Sequence, residues 1–110
     1  MSIDAIKIWL SMTYMNATLV LDHKFTFKDG SLFEIRLWQV PKPVPPSTHG
    51  LKYRMVYVVK GERVIGYDNE RGKGDHRHLH GVEMPYEFVS IEKLLADFRA
   101  DIEAERGGPI

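Results

Sequence analysis

Two β-rich runs, LKYRMVYVV and ERVIGYDN, are separated only by Lys60 and Gly61, and this constrains the chain more than any other feature. Glycine accepts the positive φ that a two-residue hairpin turn demands, so Val59 is expected opposite Glu62. Counting outward without a bulge places Tyr57 against Val64, Val56 against Ile65, Arg54 against Tyr67 and Tyr53 against Asp68. Met55 to Val59 is apolar on both faces. That pattern suits a central strand covered on both sides, by a helix or by a second subunit, so a homodimer is compatible with it.

A second hairpin is expected upstream. ATLVLDHKFTF is rich in β-branched and aromatic residues, KDG supplies turn chemistry, and LFEIRLWQV alternates Phe33, Ile35 and Leu37 with Glu34, Arg36 and Trp38. The prolines of PKPVPPSTHG cannot donate to a sheet ladder, so 41–50 reads as an extended surface connection, a stiff spacer. Beyond the short run YEFV, Ser90 suits a helix N-cap, Glu92 sits where the helix dipole favours an anion, and Gly107-Gly108-Pro109 ends the helix. Ile91, Leu94, Leu95, Phe98 and Ile102 form its apolar stripe. The opposite side is net acidic and reads as a solvated face, with a docking face for a basic partner as the alternative.

These elements imply a small α+β protein: an antiparallel sheet of four to five strands with the C-terminal helix packed on one face. The 110 residues suit one domain, and 44% apolar residues suffice for its core. Residues 1–16 form an extension that fits a helical stripe (Ile3, Ile6, Leu10) and a strand (Ile6, Ile8, Leu10) equally; 17–89 form the sheet region and 90–106 the helix. Asp4 and Lys7 interrupt the first apolar run and no membrane-length apolar stretch follows, so the expectation is a cytoplasmic protein with no membrane contact. Lys plus Arg and Asp plus Glu balance at 15 each, so any affinity for nucleic acid must come from local charge. The absence of cysteine excludes disulfides, thiolate chemistry and Cys-based zinc sites.

Local charge gathers in YDNERGKGDHRHLHG, Tyr67 to Gly81. A metal is one reading. In an extended strand His76, His78 and His80 point one way, but neighbours lie roughly 6.6 Å apart at Cα, so only two could share an ion. A third ligand would have to come from His49, His23, Asp68 or Asp75. Metal-free cleavage of RNA suits the residue types better, and no metal or other cofactor is expected. RNA supplies its own 2′-hydroxyl nucleophile; a base, an acid and cations around the phosphorane are what the protein must add. His76 and His78 can share the proton transfers, Arg77 and Lys73 can hold phosphate, Asp75 can orient a histidine, and Tyr67 can stack a base or donate a proton. Arg71, Arg54, Asn69 and Asp68 are the remaining candidates for RNA contact. A solvated loop is built from the same residue types, and His80 can be purely structural.

YDNERGKGDHRH, preceded by PVPPSTHGLKYRMVYVVKGERVIG and followed by PYEFVSIEKLLADFRADIE, resembles the TumE family of type II toxin–antitoxin toxins. The resemblance runs from about Leu19 to Arg106, and its most specific parts are Tyr67-Asp68-Asn69, Gly74 to His78 and the aromatic approach to the helix. It implies a growth-arresting toxin that acts on RNA and is silenced by a cognate helix-turn-helix antitoxin. His80 and the stretch through Asn16 fall outside the pattern. A non-enzymatic binding module for protein or nucleic acid, and a metal-dependent hydrolase using the His cluster, are the alternatives.

Overall fold

The computed structural model describes residues 17–110. The elements are β1 (Thr18–Thr26), β2 (Leu32–Gln39), β3 (Leu51–Val59), β4 (Glu62–Glu70), β5 (Gly74–Leu79), β6 (Val82–Pro85) and α1 (Ile91–Arg106). The helix or strand expected before Ala17 lies outside the described residues. All six strands form one antiparallel meander in which each pairs with its neighbours in sequence. Among the described residues no helix is long and apolar enough to cross a membrane.

The α+β architecture agrees with the sequence, but among the described residues the sheet has six strands rather than four to five. The difference comes from one turn. His80 and Gly81 both take positive φ, 49° and 80°, as do Lys60 and Gly61 at 51° and 78°. Each pair closes a tight hairpin. DHRHL is therefore a strand, β5, which pairs back onto β4 and forward onto Val82–Pro85. Tyr86 to Ser90, which includes the run YEFV, is irregular.

The expected pairing of Val59 with Glu62 holds, but a bulge breaks the count two residues later. Val58 pairs with Arg63 and Tyr57 with Ile65, leaving Val64 over. Its carbonyl instead accepts from His80 N at 2.9 Å. Beyond the bulge Met55 faces Tyr67 and Arg54 faces Asp68, one residue away from the bulge-free register. Because side chains alternate along a strand, that single inserted residue exchanges the sides on which Tyr67 and Asp68 emerge.

The core occupies one side of the sheet. Leu37, Tyr53, Met55, Tyr57, Ile65 and Tyr67 pack there against Leu94, Phe98 and Ile102 of α1, with Ile91 and Leu95 half-buried beside them. Ser90 caps the helix by accepting from Lys93 N at 3.0 Å, and Gly107 ends it at φ 78°. At that end Arg106 donates to Tyr57 and Ser31 and lies 3.7 Å over the Phe27 ring, tying α1 to the first hairpin. The acidic face is not all solvated: Asp97 and Asp101 accept from Tyr86 and Tyr67 of the sheet side.

The proline segment departs from the expected surface spacer. Val44 is fully buried in a small second cluster with Trp38 and Val40, and Ser47 is buried as well. Pro45 O accepts from Gly72 N at 2.8 Å, so the segment docks on the β4–β5 turn. The Pro45–Pro46 peptide is cis.

Phe98 fills the space between α1 and the rings of Phe33 and Tyr67. Phe98→Ala should lower the free energy of unfolding by about 3–5 kcal/mol, measured by urea denaturation, because the rigid sheet beneath cannot collapse into the void.

Candidate functional site

β5 sends its candidate residues to opposite sides of the sheet. Asp75 and Arg77 point to the side that carries α1; His76 and His78 point away from it. The residues expected to act together thus fall into two groups, separated by the thickness of the sheet.

On the helix side, Arg77 forms a forked pair with Asp101, Nε to Oδ2 at 2.8 Å and Nη2 to Oδ1 at 2.6 Å. The Tyr67 hydroxyl donates to the same carboxylate at 2.5 Å. Burial, then this hydrogen bond, raises the Tyr67 pKa far above that of an ordinary phenol, so it is no proton donor near neutrality. Its ring is packed edge-on against Tyr86 and Phe98 and has no face open to a base. Arg77, Tyr67 and Asp101 together pin β4 and β5 to α1. An open cleft of about 310 Å³ adjoins them, lined also by Met84, Tyr86 and Asp97.

Asp75 anchors the proline segment. Its carboxylate accepts from His49 Nε2 and Tyr53 OH, each at 2.6 Å, and from Ser47 Oγ. Burial works to raise its pKa, but the bonds from His49, Ser47 and Tyr53 more than offset this and the pKa is lowered. Leu51 N donates to His49 Nδ1 at 3.3 Å, so Nε2 carries the ring's proton and both nitrogens are engaged. His49 also stacks on Phe88, with centroids 3.9 Å apart. Asn69, named as an RNA contact, is fully buried: Oδ1 accepts from Tyr53 N and Nδ2 donates to Leu51 O.

The other side assembles a tighter group. Asp68 is paired with His76 across β4 and β5, and His78 with Glu83 across β5 and β6, so these side chains rise from three adjacent strands onto one face. The rings of His76 and His78 are 4.9 Å apart at their centroids. His76 Nδ1 donates to the Gly74 carbonyl at 3.0 Å, leaving Nε2 against Asp68 Oδ1 and 3.5 Å from Glu83 Oε1. Asp68 Oδ1 is buried and accepts no hydrogen bond. Burial raises the Asp68 pKa against the opposing pull of His76 and His78. Burial, then the nearby Arg63 charge, lowers the pKa of His78 below its ordinary 6.5.

Cations surround this group. Arg54 is exposed opposite Asp68, and Arg63 lies along Gly66, where an added Cβ would come within 3.1 Å of its Cδ. Gly66 itself pairs with His78. Arg71 and Lys73 occupy the β4–β5 turn, with Lys73 3.5 Å from Glu83. His80 stands apart and pairs with Glu105 at 2.7 Å. Sequence reading missed Arg63, Glu83, Ser47, His49 as an Asp75 partner, and Asp101. Glu83 alone carried a usable signal, since a turn at His80-Gly81 places it opposite His78.

Two measurements check this division. A double-mutant cycle on Arg77→Ala and Asp101→Ala should give a coupling of about 0.5–3 kcal/mol in stability. Because Asp75's folded pKa lies below 3.8, the unfolded chain takes up that proton first as pH falls. Its stabilisation is therefore complete above the ordinary carboxylate range and lost as pH drops through the folded value. Asp75→Asn should flatten the acid decline of the unfolding free energy.

The family model described as Toxin TumE matches residues 10–106. No curated protein and no solved structure matches the chain. The matched segment takes in all six strands and the helix, and with them the Asp68, His76 and His78 group, so the chain belongs to the TumE toxin family.

Proposed function

We propose that the chain is the toxin of a type II toxin–antitoxin module, silenced by a cognate helix-turn-helix antitoxin, and that it cuts RNA in the cytoplasm as a metal-independent endoribonuclease. The observation that supports this most is the His76–His78 pair, ring centroids 4.9 Å apart on a face flanked by Arg54, Arg63 and Lys73. Cleavage of RNA by its own 2′-hydroxyl needs two proton transfers and a cationic setting for the phosphorane, and this face holds groups for each.

His78 is the base in this scheme. With its pKa below 6.5 the ring is neutral at pH 7 and can take the 2′-hydroxyl proton. His76 delivers the proton to the departing 5′-oxygen. Arg63 and Lys73 hold the phosphate, with Arg54 and Arg71 extending the basic track along the strand. Arg77, Tyr67 and Asp75 are positioning residues here: they fix β5 to α1 and to the proline segment, and so set where the imidazoles stand.

Purified protein incubated with labelled RNA in EDTA should yield fragments with 2′,3′-cyclic phosphate ends. His78→Ala should lower the cleavage rate by about 10²–10⁴-fold. RNA left intact in EDTA, or growth arrest that survives His76→Ala and His78→Ala together, would remove the proposal; the second result, with arrest lost in Arg63→Glu, would favour poisoning by binding alone.

A further inference from the structure

We infer that Asp68, His76 and His78 form a binding site for one divalent transition-metal ion of the zinc class, with Glu83 placed to complete it. Their three ligand atoms lie within 4.8 Å of one another. An ion with bonds of ~2 Å holds its ligands up to about 4 Å apart, so these atoms need to close by less than about 1 Å to share one.

The surroundings of His76 and Asp68 prepare two of these atoms for an ion. A carbonyl can only accept, so the bond from His76 Nδ1 to Gly74 O places one proton on Nδ1 and makes Nε2, which faces the group, the nitrogen that can offer a lone pair to an ion or carry a proton to a substrate. A backbone carbonyl behind the ring is the support that metal-bound histidines characteristically have. The Gly74 carbonyl is itself held in place: Gly74 has φ 79°, and a Cβ there would meet Pro46 Cγ at 3.0 Å. Asp68 Oδ1 faces the same point, removed from water and without a hydrogen bond, although His76 Nε2 lies against it. A desolvated carboxylate oxygen set beside two imidazoles is stabilised by a cation shared among them far more than by any neutral donor.

The donor set selects the ion. Two imidazoles with one or two carboxylates suit zinc, cobalt and their neighbours, whereas magnesium and calcium favour all-oxygen shells. The backbone supplies the geometry in advance, since Asp68 with His76 and His78 with Glu83 are cross-strand pairs of one rigid sheet. His23, His49 and Asp75, the other ligands considered from sequence, take no part. His49 and Asp75 bond each other on the helix side, and His23 packs against Phe33 on β2. This inference stands on geometry and not on RNA cleavage. The two meet in one respect: a bound ion occupies the Nε2 lone pairs that proton transfer uses, so zinc should inhibit the metal-free reaction.

Isothermal titration of metal-free, full-length protein with Zn²⁺ should show one equivalent bound, undiminished by excess Mg²⁺. Co²⁺ should produce visible absorption bands of a low-coordinate nitrogen and oxygen site. Asp68→Asn and His78→Gln should each weaken Zn²⁺ binding by at least ~100-fold, while His80→Gln leaves it unchanged. Far-UV circular dichroism establishes that each variant is folded, and Glu83→Gln, on an exposed edge, supplies a mild variant expected to weaken binding about tenfold. No stoichiometric Zn²⁺ binding by the parent protein, or parental affinity in both Asp68→Asn and His78→Gln, overturns the inference. RNA cleavage assayed in parallel without metal separates the two proposals, because either result can occur without the other.

Discussion

The period of two along β5 is the constraint on which the rest of the structure depends. A pleated strand has no means of sending neighbouring residues the same way. In Asp75-His76-Arg77-His78 it therefore divides a run of similar chemistry into anchors and candidate reactive groups. Asp75 and Arg77 bind the proline segment and α1 from behind, while His76 and His78 stand on the opposite face. The two sides differ in partners more than in burial: Asp75 and Arg77 are committed to His49, Tyr53 and Asp101, whereas His76, itself buried, and His78 gather around Asp68.

Electrostatics reinforces the division. Behind the sheet charges meet their complements at short range, Arg77 with Asp101 and Lys93 with Asp97. Such compensated pairs fix geometry without generating a field that reaches a ligand. In front, Asp68 meets two rings, and the neighbouring cations belong to exposed side chains able to swing toward an arriving anion.

Much of the frame was legible in sequence. Lys60-Gly61, the alternation in β2, Ser90 as cap and the Leu94, Phe98, Ile102 stripe all follow from local rules, and the structure repeats them. The side of the sheet on which each candidate emerges was not legible, because it turns on the bulge at Val64, which no turn residue announces. The sixth strand was hidden by His80, a residue whose chemistry invited a functional reading and whose backbone, at φ 49°, makes a turn. The proline segment misled in another way. Proline excludes it from the ladder, as expected, but says nothing about burial, and Val44, Ser47 and His49 fold inward where a spacer would face water. Grouping by type put Arg77 with the histidines; only three-dimensional placement shows Arg63 to be the guanidinium beside them.

The meander has a temporal side. Since every strand adds to the one made just before it, the sheet can grow in the order of synthesis with no long loop to close. Among the described residues the helix that covers its apolar side, Ile91 to Arg106, is the last element to be synthesised, so that cover comes after all the strands it packs on. A partner able to shield that side during translation would act as a chaperone before it acted as anything else.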